Sequence, residues 1–220
     1  NVRRLRPKEL LVYDYDKPVL TENLWFAEGI TSYFDICLPY IAGLSSEINL
    51  YKDLSNDLSK YLLTPGLKFQ SISDSSLDAW IKLYNSKPTS KETQLSYYIS
   101  GSVLSLCIDI LLRLNGSSLS SLFRQIWVKY GITQIGYTRL DIKNEILLMG
   151  LDLNEEFDSW LDKPDTIPLE DIISNLGLKL IKKSDTKILN SLEVVETNNA
   201  IIVKNIARNS NFSSSGITPN

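Results

Sequence analysis

The chain has 220 residues, of which 43% are hydrophobic and 22% are charged, a globular composition that excludes a disordered or fibrous protein. Its net charge is −3, and its one basic cluster is the short run Arg3, Arg4, Arg6 and Lys8, so no nucleic acid partner is expected. Histidine is absent, which excludes Ser-His-Asp triads, Cys-His dyads and histidine-liganded metal sites from this chain alone.

Apolar residues recur at three- and four-residue spacings through most of the chain, which predicts a mainly α fold. The most apolar of these segments, over 93–114, is predicted to form the central helix of the core. Trp25, Trp80, Trp127 and Trp160 are predicted to anchor that core. The segment 1–20 is predicted to be irregular, with a short strand or buried loop at 10–13, and 85–92 is predicted to be a polar loop. The predicted helices are, in chain order, 21–43, 45–63, 74–84, 93–114, 118–130, 138–149, 154–161 and 168–175. Asp74 is predicted to cap the third of them.

The pattern changes after Gly177 to short segments that are rich in Ile, Val and Leu. These predict strands over 178–181, 191–196 and 200–206, with a hairpin turn at Asn198-Asn199. Two or three strands alone are marginally stable, so we interpret this region as part of a β-rich domain. The predicted organisation is a helical domain over 1–185 and a truncated β domain over 186–220, with the boundary near 184–190.

The two cysteines, Cys37 and Cys107, lie far apart in apolar helical segments, which is not the spacing of a disulfide framework or a zinc motif. We predict that both are buried as small hydrophobic side chains. The low cysteine content fits a reducing compartment, so we predict a cytoplasmic location. The apolar run over 103–114 contains Asp109 and Arg113 and is shorter than the roughly 18 residues of a membrane span, so no span is expected.

Glu28 is the most informative residue, because it stands inside an apolar helix start, Leu24-Trp25-Phe26-Ala27-Glu28-Gly29. Burying a carboxylate costs free energy unless it has a cation, a hydrogen-bond donor or a metal as its partner. Taken alone, a residue such as Glu28 is more often an acid in the first turn of a helix, where the helix dipole favours a negative charge.

Several blocks of the sequence, in the same order, resemble the glycyl-aminopeptidase family of gluzincin zinc metallopeptidases, and the resemblance covers nearly the whole chain. It implies the helical C-terminal half of a thermolysin-like catalytic domain, followed by a truncated PDZ domain. The blocks are Asn1 to Leu10, Leu24 to Leu44, Pro65-Gly66, Gln70-Ser71, Asp78-Ala79-Trp80-Ile81, and Ser96-Tyr97-Tyr98 followed by Gly101, with Leu192 to Pro219 similar to the first half of a PDZ domain.

The resemblance implies that Glu28 is the third ligand of a zinc cofactor. It also implies that the family's catalytic tyrosine, which donates a hydrogen bond to the oxyanion, lies in the Tyr97-Tyr98 pair; the assignment between the two stays open, and we favour Tyr98. The two histidine ligands and the general base are expected in an HExxH motif just before Asn1. Because one carboxylate binds zinc poorly, the chain alone is predicted to be inactive.

The spacing of residues beyond Glu28 adds two further candidates. Ser32 and Asp35 lie one and two helical turns after Glu28 and so share its face, from which either could orient a zinc ligand. Ser100 departs from the family pattern, which usually has Lys just before the glycine of the tyrosine block. Contacts made by that Lys are therefore in doubt here.

The resemblance implies a zinc aminopeptidase that releases small N-terminal residues such as Gly or Ala from a peptide substrate. One alternative is a non-catalytic peptidase-like scaffold whose PDZ domain binds a peptide ligand. A second is a helical interaction domain in which the Trp-x-x-Glu-Gly pattern arose by chance. A homo-oligomer would cover the apolar face left by the missing HExxH helix. The arginines at the N-terminal end could hold a substrate carboxylate.

Overall fold

Helices form most of the chain, and one two-stranded sheet lies near its C-terminal end, which confirms the predicted mainly α fold with a small β portion. The computed structural model describes residues 3–12, 14–85, 87, 90–182, 192–207 and 210–219. The α-helices are α1 (Ile30–Ile41), α2 (Glu47–Leu63), α3 (Ile72–Leu77), α4 (Ser90–Thr93), α5 (Tyr97–Leu114), α6 (Leu119–Ile126), α7 (Arg139–Leu148), α8 (Asn154–Asp162), α9 (Leu169–Ser174) and α10 (Asn211–Ser214). The described chain also has 3₁₀ turns at Lys8–Leu10 and Pro65–Lys68, π-helical turns at Trp25–Gly29 and Trp127–Gly131, and strands β1 (Leu192–Glu196) and β2 (Ile201–Ile206).

Several helix ends lie where the local sequence predicts them. Gly43 adopts a positive φ of 72° directly after α1, a conformation that glycine reaches without steric cost. Ser46 caps α2 by accepting a hydrogen bond from the Asn49 N–H. Thr138 caps α7, and Asp141 completes a capping box with it. These signals are local, so the sequence alone suffices to place them.

Several sequence predictions are wrong. Ser71, not Asp74, caps α3: its hydroxyl accepts the Asp74 N–H at 3.0 Å, and the helix ends at Leu77 rather than reaching position 84. Trp80, which follows this early end, is 64% exposed and is not a core anchor, although Trp25 and Trp160 are buried. The segment 178–181 forms no strand. The predicted strand or buried loop at 10–13 begins at the end of the 3₁₀ turn Lys8–Leu10 and forms no strand over 10–12; position 13 lies outside the described residues.

The central helix is α5, and the buried side chains of Leu104, Cys107 and Leu112 pack against the surrounding elements. It contacts the Trp25–Gly29 turn, α1, α2, α3, α6 and α9. Contrary to the expectation of no membrane-length segment, α5 has the length and composition of a membrane span. However, 67% of it is buried within the protein, as in the core helix of a globular domain.

Two glycines bring the Trp25–Gly29 turn into backbone contact with α5. A Cβ atom added to Gly29 would lie 2.4 Å from the Cα atom of Gly101. A Cβ atom added to Gly101 would lie 2.5 Å from the carbonyl oxygen of Trp25. No larger side chain fits at either position without moving one backbone away from the other. We call the turn Trp25–Gly29 the Glu28 turn, since the contact fixes it beside the first turns of α5.

Arg139 joins four segments around the start of the Glu28 turn. Its guanidinium donates to the Asp162 carboxylate in α8 at 2.7 Å and to the Ser73 hydroxyl in α3 at 2.7 Å. The same group pairs with Glu22, just before the turn. Charge-assisted contacts of this kind hold the turn, α3, α7 and α8 in one arrangement.

The strands β1 and β2 pair antiparallel, with Leu192 opposite Ile206 and Glu196 opposite Ile201. The Thr197 N–H donates to the Ala200 carbonyl at 2.8 Å, which closes the hairpin at Asn198-Asn199 as predicted. The proposed boundary at 184–190 lies outside the described residues. The assignment of 186–220 to a separate PDZ domain therefore stays a prediction.

The environments of the two cysteines differ. Cys107 is fully buried in α5 as predicted, and burial raises the pKa of its thiol to about 12. Cys37 is only half-buried, and burial is also the main cause of its raised pKa. The prediction of burial is therefore confirmed for Cys107 and only partly correct for Cys37.

We expect thiol labelling at pH 8 to modify Cys37 in the folded protein and Cys107 only after unfolding, because a buried thiol with a pKa of about 12 has almost no thiolate at that pH. The rates can be measured with a chromogenic disulfide reagent with and without urea. The Cys37→Ser variant should show no thiol that reacts before unfolding. Rapid labelling of Cys107 in that folded variant would contradict the prediction.

We expect Gly29→Ala to lower the free energy of unfolding by about 3 kcal/mol, because the added methyl group overlaps the α5 backbone. Urea denaturation followed by far-UV circular dichroism measures the change. Gly43→Ala is the matched control: no atom lies near its added Cβ, so only its positive φ opposes the substitution, at about 1 kcal/mol. Equal losses in the two variants would show that the backbone contact does not matter.

Candidate active site

Glu28 lies in a π-helical turn whose neighbouring side chains are buried. Trp25 packs edge-on against Phe157 with ring centroids 5.7 Å apart, and Phe26 packs in the same way against Tyr137 at 5.2 Å. The backbone N–H of Trp25 donates to the Ser76 hydroxyl of α3 at 3.2 Å. These contacts fix the turn, and π-helical turns are frequent at functional sites.

The Glu28 side chain is half-buried, and its carboxylate makes no hydrogen bond or ion pair with any residue in the described part of the chain. Both of its oxygens are therefore available to a ligand. A half-buried carboxylate without a partner is costly, and a bound cation would remove that cost. The carboxylate thus suits one position in the coordination shell of a zinc ion.

The described residues do not contain a complete metal site, since no group of three or more His, Cys, Asp or Glu side chains comes together in them. Glu28 can supply one ligand. A catalytic zinc ion usually has three protein ligands, so two more would have to come from outside the described residues.

The two tyrosines of the predicted catalytic block open helix α5 and have different surroundings. Tyr97 is 2% exposed, whereas Tyr98 is half-buried, and their rings stack with centroids 4.5 Å apart. Burial is the main cause of the raised pKa of Tyr98, and the negative charge of Glu28 raises it further. The Tyr98 phenol is therefore protonated at neutral pH and lies within electrostatic reach of Glu28, and a protonated phenol can donate a hydrogen bond.

Tyr84 is a member of this group that the sequence analysis missed. Its hydroxyl oxygen lies 3.0 Å from that of Tyr97 and 3.1 Å from that of Tyr98. It belongs to the turn that follows α3, where the sequence predicts a continuous helix. The only signal in the sequence is its position three residues after the Asp78-Ala79-Trp80-Ile81 block.

Tyr137 was also missed, and it brings the N-terminal segment to the Glu28 turn. The Lys8 N–H donates to the Tyr137 carbonyl at 2.8 Å, and the Tyr137 N–H donates to the Arg6 carbonyl at 3.0 Å. Tyr137 is buried, and burial raises the pKa of its phenol well above the usual value, with further contributions from Glu9 and Glu28. The segment that resembles the one after HExxH therefore lies close to Glu28.

Ser32 and Asp35 follow Glu28 along α1 but do not contact its carboxylate. The Ser32 hydroxyl donates to the Glu28 backbone carbonyl at 3.0 Å, a bond within the helix. Asp35 is exposed. Their assignment as residues that orient a zinc ligand stays a prediction.

The predicted basic cluster is divided between solvent and protein. Arg3 and Arg4 are exposed, and Arg6 is half-buried. One guanidinium nitrogen of Arg6, Nη1, donates to the Leu10 carbonyl at 3.4 Å, while its Nε is buried without a partner among the described residues. A role for these arginines in holding a substrate carboxylate stays a prediction.

A cavity of about 670 Å³ lies between α1, α2, α5 and α9, away from Glu28 and Tyr98. Its buried acid is Asp109, which accepts hydrogen bonds from the Tyr33 hydroxyl at 2.7 Å, Arg113 Nε at 2.8 Å and the Leu119 N–H at 2.7 Å. Because both carboxylate oxygens have partners, Asp109 is explained by its structural role of joining α1, α5 and α6. The catalytic candidates therefore lie at the Glu28 turn.

Comparisons with known proteins find similarity to aminopeptidases. The family model described as M61 glycyl aminopeptidase matches residues 1–104. The crystal structure of an aminopeptidase N family protein from Idiomarina loihiensis matches with a TM-score of 0.88 and 26% sequence identity, over 100% of this chain and 40% of that one. The chain thus spans well under half the length of that protein. No curated protein sequence matches. The residues that match this family model carry Glu28, Tyr84, Tyr97 and Tyr98.

Proposed function

We propose that the protein containing this chain is a zinc-dependent aminopeptidase that removes small N-terminal residues such as Gly or Ala from peptides. The match of residues 1–104 to the M61 glycyl aminopeptidase model and the likeness to an aminopeptidase structure support a peptidase. The observation that carries the proposal is the half-buried Glu28 carboxylate, which has no hydrogen bond or ion pair among the described residues and lies within electrostatic reach of the protonated Tyr98 phenol. Within that protein, this chain supplies the helical part of the catalytic domain.

Glu28 has the role of the third zinc ligand, and the two histidines of an HExxH motif elsewhere in the protein supply the others. When bound, zinc polarises a carbonyl group and lowers the pKa of a bound water. The Tyr98 phenol donates a hydrogen bond to the substrate carbonyl oxygen as negative charge develops on it. The contact between Gly29 and Gly101 keeps these two side chains at a fixed separation, which such a reaction requires.

Ser100 marks a difference from the usual family pattern at this site. It is buried in α5, and its hydroxyl donates to the Ser96 carbonyl at 2.9 Å. A lysine ammonium group would not be accommodated in this buried position without a partner. We therefore propose that substrate contacts made by the family's Lys are absent here or come from another residue.

A peptidase-like scaffold that presents a PDZ module is the alternative function. The PDZ interpretation of 186–220 rests on the sequence, as do the cytoplasmic location and the homo-oligomer. Large apolar side chains are exposed at the end of α1 and in α2, including Ile41, Leu44 and Ile48, and a second copy or another part of the protein could cover them.

Glu28→Gln in the full-length protein is expected to reduce zinc content and the hydrolysis of glycyl and alanyl p-nitroanilides by at least about 100-fold, because it removes a charged ligand. Zinc is measured by mass spectrometry after dialysis. Glu47→Gln, at an exposed acid in α2, is the matched control and should change neither quantity. Full zinc occupancy in Glu28→Gln would refute the ligand assignment.

Tyr98→Phe is expected to lower kcat by about 10²- to 10³-fold with little change in KM, since it removes one donor to the developing oxyanion. Tyr97→Phe removes a hydroxyl of the same type from a buried neighbour and should have a much smaller effect. A larger loss of kcat in Tyr97→Phe than in Tyr98→Phe would assign the catalytic role to Tyr97. Circular dichroism spectra of both variants control for folding.

A further inference from the structure

We propose that Tyr84 is a positioning residue for Tyr98. Its hydroxyl accepts the Tyr98 hydrogen bond in the free site, and donates to the Tyr98 oxygen once the Tyr98 proton turns to the substrate. This inference rests on the proposed function, in which Tyr98 is the donor to the substrate carbonyl oxygen. No other role of Tyr84 is needed for it.

The distances among the three phenols support this role. The Tyr84 oxygen lies within hydrogen-bond distance of both other oxygens, at 3.0 Å from Tyr97 and 3.1 Å from Tyr98. A phenol has one proton and can also accept, so Tyr84 can bond both neighbours but can donate to only one of them at a time. The direction of the hydrogen bond between Tyr84 and Tyr98 can therefore reverse without movement of the rings.

Tyr97 sets one end of this chain. It is almost fully buried, so its proton has to go to a neighbouring phenol oxygen rather than to water. When Tyr97 donates to Tyr84, the Tyr84 proton is free to point at Tyr98. The Tyr98 oxygen then accepts a hydrogen bond and its own proton is left for the substrate. Accepting a hydrogen bond also makes a hydroxyl a better donor, because hydrogen bonds in a chain polarise one another.

The turn after α3 holds Tyr84 in place. The Asp78 N–H donates to the Asp74 carbonyl at 2.8 Å, and the Tyr84 N–H donates to the carbonyl of the buried Ala79 at 3.0 Å. The Tyr84 ring packs against Trp80, with centroids 5.3 Å apart. Trp80 thus supports the Tyr84 ring, which gives the exposed indole a structural purpose.

The test is a double-mutant cycle in the full-length protein with Tyr84→Phe, Tyr98→Phe and the double variant. Tyr84→Phe is expected to lower kcat by about 5- to 10-fold, the worth of one hydrogen bond, with KM unchanged. In the Tyr98→Phe background, the same substitution should cause no further loss, because Tyr84 acts through the missing hydroxyl. The matched control is Tyr51→Phe, which removes a hydroxyl that bonds Glu47 on the exposed face of α2 and should leave kcat unchanged.

A spectroscopic measurement makes the test independent of activity. With 3-fluorotyrosine at position 98, the ¹⁹F resonance is expected to shift in Tyr84→Phe and to stay unchanged in Tyr51→Phe. An unshifted resonance would overturn the inference whatever the kinetics. Melting temperatures of the variants, all of which keep the aromatic ring, control for folding.

The kinetic outcomes separate the inference from the proposed function. Equal losses from Tyr84→Phe with and without the Tyr98 hydroxyl, or a raised KM at unchanged kcat, would overturn the positioning role alone. Full activity in Tyr84→Phe together with a large loss in Tyr98→Phe would do the same and leave the proposed function intact. Full activity in Tyr98→Phe would overturn both, because no donor would then remain for Tyr84 to position.

Discussion

The backbone contact between Gly29 and Gly101 is the constraint on which the rest of the site depends. It lets the Glu28 turn approach α5 more closely than any side chain would permit. The Glu28 turn carries the carboxylate, and the first turn of α5 carries the stacked tyrosines. Because the contact is between backbones, the separation of Glu28 from Tyr98 does not rely on the rotamer of an intervening side chain.

The segment that ends at α3 supports this contact from the other side of the α5 start. A Cβ atom on Gly66 would overlap the backbone of Gln94. The Gln70 side-chain oxygen accepts the Leu95 N–H at 2.8 Å, and the Ser75 hydroxyl donates to the Leu95 carbonyl. The residues that enter α5 are therefore held by backbone and side-chain contacts before the first tyrosine. This explains in physical terms why several separate sequence blocks contribute to one site.

The sequence predicts those features whose causes are local. Thr138 directly precedes the helix that it caps and is followed by the acid that completes its capping box, so the pattern of a few residues is sufficient. Trp80 shows the limit of such patterns, because a large apolar residue at helical spacing can support another exposed ring instead of the core. Tyr84 and Tyr137 could not be predicted, since their approach to the site depends on a turn and a strand-like bridge that join distant segments. Glu28 was recognised because its carboxylate stands out in an apolar segment and because the neighbouring blocks resemble a known family.

The two glycines are separated by more than 70 residues of chain, so their contact also constrains the order in which the protein folds. Closing so long a loop has a high entropic cost, so contacts of this kind tend to form late in folding, after local helices are present. A partly folded chain can then contain most of its helices while Glu28 and Tyr98 are still far apart. Helical content is therefore a poor measure of correct folding for this protein, because the contact that brings Glu28 close to Tyr98 can still be absent.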